Sequence, residues 1–224
     1  MAEGGLSTGA AETLTGAQAA MLQAWLSPAF PIGAFAWSHG LEQAVEAGQV
    51  DGPEALRAWL EALLRHGAGR SDAVLLAAAW RDPDDAGPEA LAAALQPSAE
   101  RRAETLALGA AFARAVSAGW GVATAAAAYP VAVGRAARAA GLPLAPLTRL
   151  FLQGFAANLV SAGQRLIPIG ETDGQRVLAA LLPVCEAVAA KALEADPEDV
   201  GGACLAADLA SMLHETQSTR LFRS

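Results

Sequence analysis

The sequence has little of what a disulfide-stabilised or zinc-stabilised protein needs. Its 224 residues include two cysteines and three histidines. Cys185 and Cys204 lie in apolar segments, without a C-x-x-C spacing and without a nearby histidine. A structural zinc site usually takes four ligands. We therefore expect two buried thiols and no metal ligands contributed by this chain.

The sequence also lacks a long apolar run free of charge. The hydrophobic fraction is 54% and the mean hydropathy is +0.31, largely because of alanine. The longest apolar stretches, 144–168 and 177–190, contain prolines and charged or amide side chains, whereas a membrane-spanning helix needs about 20 nearly uncharged residues. Residues 1–18 lack the basic and apolar regions of a secretory signal. We predict a flexible N-terminal lead there and a cytoplasmic protein. A helical membrane-surface protein stays open as an alternative, suggested by the mean hydropathy alone.

Positive charge is scarce as well. Lys and Arg total 15 against 23 Asp and Glu, which gives a net charge of −8 and a pI of about 4.9. The basic residues are scattered, and Lys191 is the one lysine. Nucleic-acid-binding proteins normally carry a basic patch or stripe. We expect no nucleic-acid partner.

Helical periodicity, by contrast, runs through almost the whole chain. Leu22, Trp25 and Leu26 follow the i, i+3, i+4 spacing of an amphipathic helix, and 98–120 is the longest uninterrupted periodic stretch. Few segments alternate apolar and polar residues as strands do. The sequence predicts an all-α fold, a single bundle-like domain of about ten helices with short loops over residues 19–213.

Motifs for catalysis or cofactor binding are missing. Ser38 and His39 are the best candidates for a small hydrolase, but neighbours on a helix point about 100° apart and cannot act as nucleophile and base. His214 and Glu215 begin an H-E-x-x-H motif, yet Ser218 stands where the second histidine is needed. No P-loop and no G-x-G-x-x-G occurs. We expect a protein that is not an enzyme and binds no cofactor, and keep the hydrolase as an alternative.

Two segments combine apolar and polar residues in an unusual way. The opening loop, "SPAFPIGAFAWSHGLE" (27–42), holds two prolines and three large aromatic residues. Packing under the bundle is expected for at least two of Phe30, Phe35 and Trp37. The tail, residues 214–224, places apolar side chains between arginines near the end of the chain. Either the tail becomes ordered on a partner, through an aromatic and arginine anchor, or it folds back on its own core.

Four motifs carry a resemblance to a known family. They are "LSPAFPIGAFAWSHGLE" (26–42), "YPVAVG" (129–134), "NLVSAGQRLIPIGETDGQR" (158–176) and "SMLHETQSTRLFRS" (211–224). Together they are similar, in the same order over about residues 20–224, to the urease accessory protein UreF family. Four collinear motifs make the resemblance specific.

The resemblance implies an all-α, cytoplasmic, non-enzymatic homodimer. Such proteins bind the accessory protein UreD (also called UreH) and the GTPase UreG. The complex delivers nickel to the apo-urease subunits, and the UreF-like chain regulates the GTP-dependent step. By this resemblance, residues 214–224 form a partner-binding tail.

The resemblance also implies three groups of site residues. The first two are expected at partner contacts: His214, Glu215, Arg220, Leu221, Phe222 and Arg223 in the tail, and Pro31, Gly33, Ser38, His39 and Glu42 in the opening loop. The third group is either GTPase-regulating or structural: Asn158, Gln164, Arg165, Thr172 and Asp173. Arg165 is a candidate for an arginine supplied in trans to a GTPase. A structural arginine that neutralises an acidic side chain within the bundle is the favoured alternative.

Overall fold

The computed structural model describes residues 14–224, and in this range it contains ten α-helices and no β-strand. The all-α prediction is confirmed. The helices are α1 (Gly16–Trp25), α2 (Leu41–Glu46), α3 (Pro53–His66), α4 (Ala68–Arg81), α5 (Gly87–Ala94), α6 (Ala99–Trp120), α7 (Tyr129–Ala139), α8 (Leu144–Leu166), α9 (Glu171–Glu194) and α10 (Leu205–His214).

Local signals explain several helix boundaries. Ser98 caps α6, since its hydroxyl accepts a hydrogen bond from the Arg101 amide. Thr15 and Gln18 form a reciprocal capping box at the start of α1. The flexible lead predicted for 1–18 falls largely on residues 1–13, which lie outside the described residues; α1 begins within the remainder, at Gly16.

The sequence pattern predicts a helix over Ser38–Ala47, ended by Gly48, and this prediction is wrong in its starting point. The helix there is α2, which begins at Leu41. The reason lies in the two preceding residues: His39 has φ +56° and Gly40 has φ +76°. Left-handed backbone cannot continue a right-handed helix, and it is uncommon for a residue with a side chain. The turn aims Ser38 and Glu42 toward the end of the chain.

Helices α4 and α8 join the two halves of the core. Residues 72–79 of α4 are all buried, as expected for a helix surrounded by others. Its Ala73 and Val74 pack with α2, α3, α9 and α10, whereas Leu75 and Leu76 pack with α1, α6 and α7. Both predicted thiols, Cys185 and Cys204, are buried and free.

Small residues allow the helices to approach closely. A Cβ on Gly109 of α6 would lie 1.9 Å from the carbonyl oxygen of Ala127, and a Cβ on Gly134 of α7 would lie 2.4 Å from that of Leu76. No real Cβ tolerates such distances, so glycine is required at both positions. Within residues 14–224, no helix is both long and apolar enough to cross a membrane.

Candidate partner-binding site

The opening loop presents one aromatic side chain outward and buries the others. A 3₁₀ turn over Ala34–Ala36 leaves Phe35 68% exposed. Trp37 is buried, and the half-buried Phe30 ring lies 5.5 Å from that of Phe112 in the core. The expectation that at least two of these three aromatic residues pack under the bundle is confirmed. Pro31 is exposed, and the left-handed backbone at Gly33 (φ +78°) starts the turn.

The tail folds back on the protein's own core. Phe222 is only 3% exposed and packs within the core half formed by α2, α3, α8, α9 and α10. The Arg165 guanidinium lies 4.3 Å above the Phe222 ring. Leu221, in contrast, is 63% exposed. Of the two alternatives for the tail, folding back on the core is therefore what the isolated chain does.

Backbone hydrogen bonds join the tail to the opening loop. The Ser38 amide donates to the Ser224 carbonyl oxygen at 2.8 Å, and the Arg223 amide donates to the Ala36 carbonyl oxygen at 2.9 Å. The Ser38 hydroxyl also donates to the Ser224 carbonyl oxygen. Arg223 places its guanidinium 4.8 Å from the Trp37 ring centre. The two unusual segments of the sequence thus form one structure.

The Glu42 carboxylate holds the tail in place. Its Oε1 accepts a hydrogen bond from the Leu221 amide at 2.6 Å, and its Oε2 accepts one from the Phe222 amide at 2.8 Å. Oε2 also lies 3.1 Å from Nε2 of His214. Hydrogen bonds to an ionised carboxylate are charge-assisted and therefore stronger than neutral ones, so Glu42 holds these amides firmly.

His214 is fully buried between two carboxylates. Its Nε2 faces Glu42, and its Nδ1 lies 2.7 Å from Oε2 of Glu100. Since a carboxylate only accepts hydrogen bonds, both contacts are satisfied when both ring nitrogens carry a proton. Arg220 closes the network, with Nη1 2.5 Å from Oε1 of Glu100. Glu215 follows α10, and its carboxylate reaches the start of α6, where it accepts hydrogen bonds from the amides of residues 99 and 100.

A second buried cluster of charge lies beneath this one. Arg101 forms an ion pair with Glu104, and Nε2 of His39 lies 2.9 Å from Oε1 of Glu104. Burial alone would raise the pKa of Glu104, but Arg101 and His39 bring it down to about 2. Burial, with Arg101 adding to it, lowers the pKa of His39. The Ser224 hydroxyl donates to Glu104 at 2.8 Å, so the tail also reaches this cluster.

The structure does not bring Ser38 and His39 together as a hydrolase would require. The Ser38 hydroxyl contacts the Ser224 carbonyl, whereas the His39 ring is directed at Glu104 and Arg101. Nδ1 of His39 is buried without a hydrogen-bond partner. The two side chains therefore do not form a nucleophile and base pair.

The third group of residues is spread over the region around the tail. Asn158 donates from its amide to the carbonyl oxygen of Ala34 at 3.2 Å, and Gln164 packs against Gly174 of α9. Arg165 makes no ion pair with any residue of 14–224 and stacks on the tail instead. The favoured structural alternative for it, neutralising an acid, is therefore not what the structure contains.

Thr172 and Asp173 lie in the first turn of α9. Thr172 is exposed, and Asp173 forms an ion pair with Arg176 at 2.9 Å. Neither caps the helix, since the N-cap is Gly170 and no side chain bonds the first amides.

Sequence reasoning missed several residues that the site depends on. Glu100, Arg101 and Glu104 of α6 receive the tail and the opening loop, yet they match no motif. An exposed apolar stripe on α10 was missed too, since its i, i+4, i+8 spacing looks like an ordinary core-facing stripe. That stripe consists of Leu205, Leu209, Met212 and Leu213. Across residues 14–224, no group of three or more His, Cys, Asp or Glu side chains is arranged to hold a metal ion.

Comparisons with known proteins show the family of this chain. The model of the UreF family matches residues 50–182, more than half of the chain. The urease accessory protein UreF of Roseobacter denitrificans is 50% identical over 205 residues, covering 91% of this chain and 92% of that protein. Its namesake in Rhodopseudomonas palustris strain TIE-1 is 53% identical over 218 residues, covering 91% of each. The chain belongs to the UreF family of urease accessory proteins.

Proposed function

We propose that this chain is a cytoplasmic, non-enzymatic assembly factor for urease. It acts as a homodimer that bridges UreD/UreH and the GTPase UreG, and it regulates the GTP-dependent delivery of nickel to the apo-urease subunits. One observation carries the proposal: the tail is held on the opening loop by buried charge, while its Leu221 side chain and two arginines are left exposed.

The composition of this exposed surface supports protein binding. Leu221, Phe35 and the apolar stripe of α10 are exposed. Arg220 and Arg223 flank Leu221, and arginine and aromatic residues are enriched where interfaces bind most strongly. The stripe of α10 sets four of these side chains along one helix, and contiguous exposed apolar patches often mark interaction sites.

Burial and side-chain contacts together separate the proposed site residues into two roles; Arg165 and Glu215 are exposed, but their side chains contact Phe222 and the start of α6. Leu221, Arg220, Arg223 and Pro31 are exposed and are proposed to contact a partner directly. A second set holds the tail and loop in shape from below or beside them. These positioning residues are Gly33, Ser38, His39, Glu42, Asn158, Gln164, Arg165, His214, Glu215 and Phe222. Thr172 and Asp173 are more remote, and we assign them no contact.

Co-expression of this chain with UreD/UreH and UreG from the same organism tests the proposal. Leu221→Asp should abolish co-purification, because it places a charge at the centre of the proposed contact while removing no buried group. Leu106→Asp is the matched control, since Leu106 of α6 is 40% exposed and lies outside the tail. Both variants should keep the wild-type circular dichroism and melting temperature. Undiminished capture by Leu221→Asp would refute the assigned contact.

The role of Arg165 is tested through GTP hydrolysis. Its guanidinium stacks on Phe222, so we propose that it positions the tail and is not supplied to the nucleotide. Arg165→Ala should leave the rate of UreG hydrolysis per assembled complex unchanged and weaken assembly itself. Arg176→Ala, another exposed arginine next to this region, is the control. A large fall in the hydrolysis rate with assembly intact would instead show an arginine acting in trans.

A further inference from the structure

A cavity of about 200 Å³ lies under the opening loop, between helices α4, α6, α7 and α8. Four aromatic rings line it: Phe30, Tyr129, Phe151 and Phe155. The exposed Phe35 stands on its rim. This is enough for a small organic molecule, since an apolar cavity of about 150 Å³ holds benzene.

The polar end of the cavity carries an unmatched carboxyl group. Asp72 of α4 is 7% exposed and lines both this cavity and a smaller neighbouring one, which lacks the aromatic rings. Among the described residues, no side chain or backbone group forms a hydrogen bond or ion pair with its carboxyl oxygens. Buried polar groups are nearly always paired, and a buried carboxylate without a partner is costly. The carboxyl group is therefore available to a ligand.

The charged side chains around Asp72 do not balance the negative charge of its ionised form. Arg101 and Glu104 neutralise each other as an ion pair. Burial and the nearby Arg101 lower the pKa of His39, which disfavours a positive charge on that ring. An ionised Asp72 adds one negative charge that no described group balances. A cationic ligand would complete the balance, whereas an anion would add to the excess.

The aromatic rings point to the chemical class of that cation. Aromatic faces attract ammonium groups within about 6 Å, most strongly when the ion is removed from water. A carboxyl group and several aromatic rings around one concave, partly open space suit a small organic ammonium ion. We propose that this cavity binds a small organic ammonium ion, with its nitrogen at Asp72 and its carbon atoms against the aromatic rings.

Binding should depend on pH through Asp72. Burial raises the pKa of this carboxyl to about 7, with Arg101 opposing and Glu104 adding to the shift. The other groups near it are His39 at the start of the α2 turn, Tyr129 of α7 and Asp208 of α10. An acid binds a cation in its ionised form, so affinity should fall as the pH drops through this value.

Calorimetric titration of the full chain with butylammonium chloride tests the proposal. We expect saturable binding near pH 8, about tenfold weaker near pH 6, as the ionised fraction of Asp72 falls, and at least as much weaker in Asp72→Asn. Asp208→Asn is the control, because this acid lines the neighbouring cavity instead. Sodium butyrate, with the same carbon chain and the opposite charge, should not bind.

Two further arms keep the result decisive. Phe155→Leu should weaken butylammonium binding by several fold while leaving Asp72 in place, which tests the rings if Asp72→Asn does not fold. Absence of binding to the wild-type chain, equal binding by Asp72→Asn, or binding of butyrate instead would overturn the proposal. None of these outcomes depends on UreD/UreH or UreG, so the proposed function is tested separately.

Discussion

Replacing Glu42 by alanine is expected to release the tail while leaving the bundle folded. The carboxylate accepts the Leu221 and Phe222 amides at 2.6 and 2.8 Å, and it faces the buried His214 ring. A hydrogen bond to a charged group contributes about 1.5–3 kcal/mol. Losing the two amide bonds should therefore cost the docked tail about 3 kcal/mol or more, which corresponds to about 100-fold in its docking equilibrium.

Hydrogen exchange measures this change residue by residue. The amides of Leu221 and Phe222 should exchange about 100-fold faster in Glu42→Ala, and trypsin should cleave more readily after Arg220. Glu46→Ala is the matched control, because Glu46 lies on the same helix and is exposed. If Glu42→Ala is folded and both amides keep their wild-type exchange rates, then the carboxylate does not hold the tail.

Three further predictions concern the core. Phe222→Ala should lower the free energy of unfolding by about 3–5 kcal/mol in urea denaturation, against less than about 1 kcal/mol for the exposed Leu221→Ala. Asp72 has a folded-state pKa of about 7, above its ordinary 3.8, so the folded chain binds a proton that the unfolded chain releases between these values. Stability should therefore fall as the pH rises from about 4 to about 7, and Asp72→Asn should flatten this slope in melts recorded across that range. Gly109→Ala should cost about 1–3 kcal/mol, because its Cβ would meet a carbonyl oxygen at 1.9 Å; Gly119→Ala, which meets nothing within 4 Å, should not destabilise the chain.

Periodicity was enough to predict most of the fold. Helices such as α6 and α8 bury an apolar face at 3.6-residue spacing, so their existence is visible in the sequence. The start of α2 was not predictable, because the left-handed backbone conformation of His39 depends on tertiary contacts. His39 adopts φ +56° where its ring is held against Glu104, and nothing in the local sequence requires this.

The candidate site was predictable in its segments and not in its contacts. The opening loop and the tail are conspicuous because apolar side chains stand where polar ones are usual. Whether the tail folds back depends on Glu42 and Glu100, which lie more than 100 residues away from it along the chain. Such acids match no motif and have no fixed spacing to the tail, so their role is visible only once the helices are assembled.

The hydrogen bond from the Phe222 amide to Glu42 spans 180 residues. Because a ribosome adds residues from the N-terminus, α1 to α9 are made before the tail is. The carboxylates that bind the tail, Glu42 of α2 and Glu104 of α6, therefore lack their hydrogen-bond donors from the tail through most of translation. The contact between the tail and the opening loop therefore forms late in synthesis, and a polypeptide stopped before Leu221 would lack both amides that bond to Glu42.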